Sequence, residues 1–185
     1  VGYSFQSFPV VVLELSKEFS LSRFLATLPI PLFMIMSSLF MPFIGRVLDK
    51  GAIRSILMTG ALVYGLSLIS LYFSFSYISF MLIFTLPMAL GVTMMGNISV
   101  SKLISLWFRK YTGRALGIAS VGVSFAGFVF PNLTSFLLGD LGLTWREAYL
   151  LFGTLIILIN VPVVYLFIVN KPSDINQIPD GEEIK

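Results

Sequence analysis

The sequence predicts an all-α membrane protein of six transmembrane helices, the first of them short. Three observations predict it. The chain is 57% hydrophobic and only 11% charged, where an ordinary soluble domain carries roughly 25% charged residues. Its mean hydropathy is +0.95, and 185 residues enclose too little interior to hide that much apolar surface from water. The apolar residues also fall into long runs, and a helix needs about 20 of them to cross roughly 30 Å of hydrocarbon.

The first span covers residues 1–15. At ~1.5 Å per residue it reaches only about 23 Å, so its first turns are expected to precede Val1. No basic n-region or small-residue cleavage site marks a secretory signal there. Ser16-Lys17-Glu18 closes it. The second span runs 24–45, from Phe24 to Gly45, and Asp49-Lys50-Gly51 separates it from the third, 53–74. Ser74 to Ser76 turns tightly into the fourth, 77–101. Arg109 to Gly113 leads into the fifth, 113–138, and Gly139-Asp140-Leu141-Gly142 into the sixth, 147–169. Residues 1–169 therefore form one six-helix unit with no room for an extramembrane domain. Residues 170–185, with Pro172, Pro179 and several acids, read as a solvated linker or tail.

Charge sets the orientation. Arg46, Lys50, Arg54, Arg109, Lys110, Arg114, Lys171 and Lys185 fall on one side, and Lys17, Arg23 and Arg146 on the other. The positive-inside rule makes the first side cytoplasmic, with the tail. The formal charge of +3 thus reads as topology in a cell membrane, not as an affinity for nucleic acid. No Cys and no His occur. This excludes disulfide scaffolds, thiolate or imidazole metal sites and Ser–His or Cys–His catalysis. No cofactor, metal or catalytic residue is expected, and no acid sits mid-span.

Polar side chains inside a span are costly, so each marks a candidate water-filled path. Tyr3 and Gln6 lie in the first span. Thr93, Asn97 and Ser101 recur every fourth residue on one face of the fourth. Tyr3, Gln6, Thr93 and Asn97 are the candidate substrate-cavity residues. Lys102 joins them as the one base within an apolar run; it either snorkels to the interface or faces the cavity, where it would attract an anion.

Two motifs carry a mechanism. Gly45-Arg46-Val47-Leu48-Asp49-Lys50-Gly51-Ala52-Ile53-Arg54 fills the turn between the second and third spans. A charge cluster there can latch a helix end or simply fix orientation. Leu106 to Gly117 leads into a helix with Gly117, Gly122 and Gly127 at intervals of five, then Pro131. Small residues permit close helix approach, and Gly and Pro permit bending.

Together these motifs resemble the major facilitator superfamily. Gly45, Asp49, Lys50 and Arg54 match its helix 2–3 signature, Gly-x-x-x-Asp-Arg/Lys-x-Gly-x-Arg, except that Gly51 stands one place early and Ala52 fills the expected glycine site. Trp107-Phe108-Arg109-Lys110 and the Gly-rich fifth helix resemble the monocarboxylate and oxalate/formate porter groups. Gly142-Leu143-Thr144-Trp145-Arg146 resembles the entry to helix 6, with Trp145 as an interfacial anchor. Pro172-Ser173-Asp174 and Pro179-Asp180-Gly181 resemble the start of the central loop. The resemblance implies the N-terminal half of the fold, built from inverted three-helix repeats at about 1–74 and 77–169. It implies a secondary transporter moving a small solute, an organic anion among the options, by alternating access. It also implies a second six-helix half as partner, on this chain's missing C-terminal side or on a separate chain, which the helix 2–3 cluster latches. The alternative is a non-transporting membrane fragment or structural subunit. Val10 follows Phe8-Pro9 where the monocarboxylate group commonly has Lys, which argues against proton-coupled monocarboxylate transport.

Overall fold

The computed structural model describes residues 3–180. The expected start at Val1 and the tail beyond Asp180, with Gly181 and Lys185, lie outside them. The first span is α1 (Tyr3–Gln6) followed by α2 (Phe8–Glu18). Pro9 has no N–H to return to the preceding turn, and the joint falls at Ser7. The span runs through the expected stop at Ser16. Lys17 pairs with Glu14 at 2.8 Å across one turn, and the helix yields only before Ser20, whose φ is +51°. Tyr3–Glu18 covers about 24 Å at ~1.5 Å per residue.

The second span opens as α3 (Arg23–Thr27). The Ser22 hydroxyl caps it, accepting the Leu25 N–H at 3.3 Å. It continues as α4 (Pro29–Asp49), beyond the expected end at Gly45. The left-handed residue that stops it is Gly51, φ +86°. This accounts for the displaced glycine: the turn needs it at 51, while Ala52 has a negative φ and caps α5 (Ile53–Tyr72).

The fourth span is not one rod but three: α6 (Tyr77–Thr85), α7 (Pro87–Met95) and α8 (Asn97–Trp107). Pro87 causes the first break. At the second, Gly96 is extended, with φ −76° and ψ −167°. The Ser99 hydroxyl donates to the Met94 carbonyl at 2.5 Å, replacing the amide that a continuous helix would supply. The fifth span is α9 (Thr112–Gly139) and the sixth α10 (Trp145–Phe167). α10 begins with a capping box: Thr144 Oγ1 accepts the Glu147 N–H, and the Glu147 carboxylate accepts the Thr144 N–H at 2.7 Å. Among the described residues, five helical stretches are long and apolar enough to cross a membrane: Arg23–Asp49, Ile53–Tyr72, Tyr77–Trp107, Thr112–Gly139 and Trp145–Phe167.

α5 is the hub, packed along α10 and α7. Glycines let the backbones meet. A Cβ on Gly91 of α7 would stand 2.6 Å from the Tyr64 nitrogen and 2.8 Å from its Cα. The α5–α10 contact is reciprocal: a Cβ on Gly65 would meet the Gly153 carbonyl at 3.0 Å, and one on Gly153 the Gly65 carbonyl at 2.7 Å. Ten residues of α5 are buried, but only Thr134 and Leu137 of α9 and only Pro29, Phe33, Ile44 and Leu48 of α4. The two flanks of the bundle are thus apolar and bare.

Candidate functional site

The mid-span polar residues fall in separate places. Tyr3 is buried, its ring 3.9 Å from that of Phe152 and edge-on to Phe130 and Tyr149. It is a core aromatic at the α1–α9–α10 junction. Gln6 bridges α1 and α9. Its Nε2 donates to the Val123 carbonyl at 3.1 Å, while its Oε1 is buried without a hydrogen-bond partner among the described residues. An orphan acceptor of this kind costs stability unless another group meets it. The Thr93 hydroxyl returns to the Ala89 carbonyl at 2.7 Å, with the Ser37 carbonyl of α4 at 3.5 Å. Thr93 is buried against the second span. Asn97 is exposed at the first position of α8, beside the Gly96 break.

Gly127 is where α1 meets α9: a Cβ there would stand 3.0 Å from Gln6 Nε2. At Gly117 and Gly122 the corresponding space is open. Pro131 lies inside α9 and leaves the Gly127 carbonyl without its helical donor. One turn on, Thr134 is buried, and its Oγ1 lies 3.1 Å from Ser7 Oγ, a second polar tie to the first span.

The signature turn forms a charged end to the bundle. Lys102 Nζ lies 2.9 Å from Asp49 Oδ1, so the base in the apolar run reaches the end of α4 and is neutralised there. Asp49 is the last residue of α4, where the helix dipole disfavours an acid, and Lys102 offsets that. Arg54 turns the other way. Its N–H donates to Asn170 Oδ1 at 2.8 Å. Its guanidinium donates to the Tyr165 carbonyl and lies 4.8 Å from the Tyr165 ring. Lys50 caps the C-terminus of α4. Gly45 and Asp49 line a cavity of about 500 Å³ with Ser101, Lys102, Ser105 and Thr112, between α4, α8 and α9.

The opposite end carries a cluster whose connection is invisible in the sequence. Glu18 Oε1 pairs with Arg146 Nη1 at 2.6 Å, and Oε2 accepts the Trp145 indole N–H at 2.6 Å. Arg146 Nη2 donates to the Ser74 carbonyl at 2.8 Å, and the guanidinium lies 4.3 Å from the Trp145 ring. Trp145 is only 3% exposed. It is therefore a buried tie between the first and sixth spans, not a ring at the lipid interface. Only the Trp-Arg pair hinted at it; its acid partner stands 127 residues away. Glu14, Lys17 and Glu18 also line a cavity of about 760 Å³ beside α9.

The sequence is similar to those of known proteins. The sequence model of the Major Facilitator Superfamily matches residues 1–185. An MFS-type transporter of Gibberella moniliformis is 31% identical over 119 residues, 63% of this chain and 28% of that protein. The fujikurins efflux protein of Gibberella fujikuroi is 30% identical over 121 residues, 63% of this chain and 25% of that protein. The uncharacterized MFS-type transporter YcxA of Bacillus subtilis is 22% identical over 166 residues, 90% of this chain and 40% of its own length. The chain thus spans between a quarter and two-fifths of the curated relatives it matches. With its apolar helices, the chain is a multi-pass membrane protein and belongs to the Major Facilitator Superfamily.

Proposed function

We propose that this chain is one six-helix half of a secondary transporter, and that a small organic solute crosses the membrane between it and a second half by alternating access. The carrying observation is the bareness of α9. Ile118, Val121, Phe125 and Phe128 are each more than 60% exposed, and the backbone at Gly117 and Gly122 is open to a close neighbour. A helix with small residues beside large apolar ones suits another helix as well as lipid. The end bearing Asp49, Lys50, Arg109 and Arg114 is assigned to the cytoplasm from its basic residues. Within the superfamily, the Trp107-to-Gly117 block supports kinship with the monocarboxylate and oxalate/formate porter groups.

Recognition by this half rests on hydrogen bonding. Gln6, Thr93 and Asn97 are uncharged, and Lys102 is occupied by Asp49. The solute's own charge, if it has one, is met by the second half. Gln6 is the foremost contact, because its Oε1 is an acceptor with no donor among the described residues. One relative is an efflux protein by name, and export is the proposed direction. Flux of a panel of small organic solutes, measured in proteoliposomes holding the full-length protein, tests the reading. Flux no faster than in empty vesicles, from protein that elutes as a folded species, overturns it.

A further inference from the structure

The described part of the segment after the sixth span, residues 168–180, is tied to the bundle by hydrogen bonds. Trp107 Nε1 donates to the Val169 carbonyl at 3.2 Å, and Asn170 Oδ1 holds the Arg54 N–H at 2.8 Å. Pro172–Ile175 make a single 3₁₀ turn. The Lys171 N–H donates to the Asp174 carboxylate at 3.2 Å. Asn176 takes φ +56°, a conformation Asn tolerates better than most residues. The Gln177 N–H returns to the Pro172 carbonyl at 2.9 Å. These bonds turn the chain back beneath the bundle.

The segment thereby delivers Asp180 to the turn between α8 and α9, where it takes all three main-chain amides of residues 109–111. Its carboxylate accepts the N–H groups of Arg109 and Tyr111, the latter at 2.9 Å. Its carbonyl accepts that of Lys110 at 3.4 Å, and its own N–H donates to the Trp107 carbonyl at 3.3 Å. A carboxylate on backbone amides makes charge-assisted bonds, roughly twice as strong as neutral ones. The residues joined are 69 and 71 apart in sequence, so the grip fastens two distant parts of the chain.

What Asp180 grips is the end of a lever. α8 is an 11-residue rod separated from α7 by the extended Gly96, where the helical bonding is interrupted. Two further polar ties hold its basic half: the Trp107 indole N–H on the Val169 carbonyl, and Lys102 to Asp49, an exposed ion pair of the kind that holds weakly.

We propose that Asp180 is a positioning residue of the transport cycle. It holds the α8–α9 turn where it is seen here, and its release lets α8 swing about Gly96 and open the charged end. This rests on the transporter reading and adds its control element.

The test uses the full-length protein in proteoliposomes. The chain contains no Cys, so once any Cys beyond it is replaced, Ser101→Cys on α8 reports the opening of that end to a membrane-impermeant maleimide. Hydrogen exchange at the amides of 109–111 reports the grip itself. Asp180→Ala is expected to speed both exchange and labelling by about tenfold or more, the scale of losing a hydrogen bond to a charged group. Asp180→Asn, which keeps one acceptor oxygen without the charge, falls between and serves if the alanine variant does not fold. Unchanged exchange overturns the grip. Faster exchange with unchanged labelling overturns the positioning role and leaves a merely structural contact. Absence of solute flux in the unmodified protein is a separate result: it removes the transporter reading while both readouts stand.

Discussion

Gly91 is the position where the packing of this bundle is most directly exposed to test. Gly91→Ala adds a single methyl. That methyl would stand 2.6 Å from the Tyr64 nitrogen, 2.8 Å from its Cα and 2.9 Å from its Cβ, where ordinary contacts begin near 3.4 Å. The colliding atoms are backbone atoms of α5, so no rotamer change relieves them, and α7 must move away by close to an ångström. Overpacking of this kind costs about 1–3 kcal/mol, and a backbone collision belongs at the upper end. Alanine recovers about 1 kcal/mol as the better helix former. The net loss is about 2 kcal/mol, read as a lower thermal midpoint. The assay is the thermal midpoint of the detergent-solubilised full-length protein, followed by size exclusion. Gly139→Ala, with nothing within 4 Å of its added methyl, is the control and should hold the midpoint within about ±0.5 kcal/mol equivalent. A Gly91→Ala variant as stable as that control would refute the close α5–α7 contact.

Three further outcomes follow from the site. Glu18→Ala leaves the largely buried Arg146, 18% exposed at its side chain, without its carboxylate. It should destabilise the full-length protein by about 1–3 kcal/mol, since Glu18 itself is partly open to water, while Glu18→Gln, which still accepts the Trp145 N–H, should cost less in the same thermal assay. Lys102→Ala should change the midpoint by less than ~1 kcal/mol equivalent, since its pair with Asp49 is exposed; the swapped variant Asp49→Lys with Lys102→Asp should match the unmodified protein within the same margin. Gln6→Leu removes one hydrogen bond and one orphan acceptor together, so stability should change by no more than about 1 kcal/mol. Solute flux should fall at least tenfold if Gln6 is a contact; unimpaired flux would place it in packing alone.

The five full-length spans and their order were legible because hydrocarbon imposes length and composition on every helix. The internal breaks were not. Gly96 looked like one more residue in an apolar run, and its extended backbone depends on Ser99 being placed to take the freed Met94 carbonyl. The glycines divide in the same way. The regular spacing of Gly117, Gly122 and Gly127 stood out, yet the closest backbone contacts from one span to another belong to Gly65, Gly91 and Gly153. Each of these contacts lies between spans, and regularity along one helix says nothing about its neighbour. Asp49 was legible through its motif, but Lys102 as its partner was not. Asp180 was visible only as part of a loop motif, because its grip depends on a 3₁₀ turn and a left-handed Asn.

The central place of α5 has a consequence for how the chain is made. This helix carries Tyr64, Ser67 and glycines that suit protein neighbours better than acyl chains, and half of its most apolar stretch is covered in the finished bundle. Its two main partners, α7 and α10, are synthesised after it. The third span therefore leaves the ribosome before its two main partners exist to shelter it, and its settled insertion depends on the arrival of the sixth.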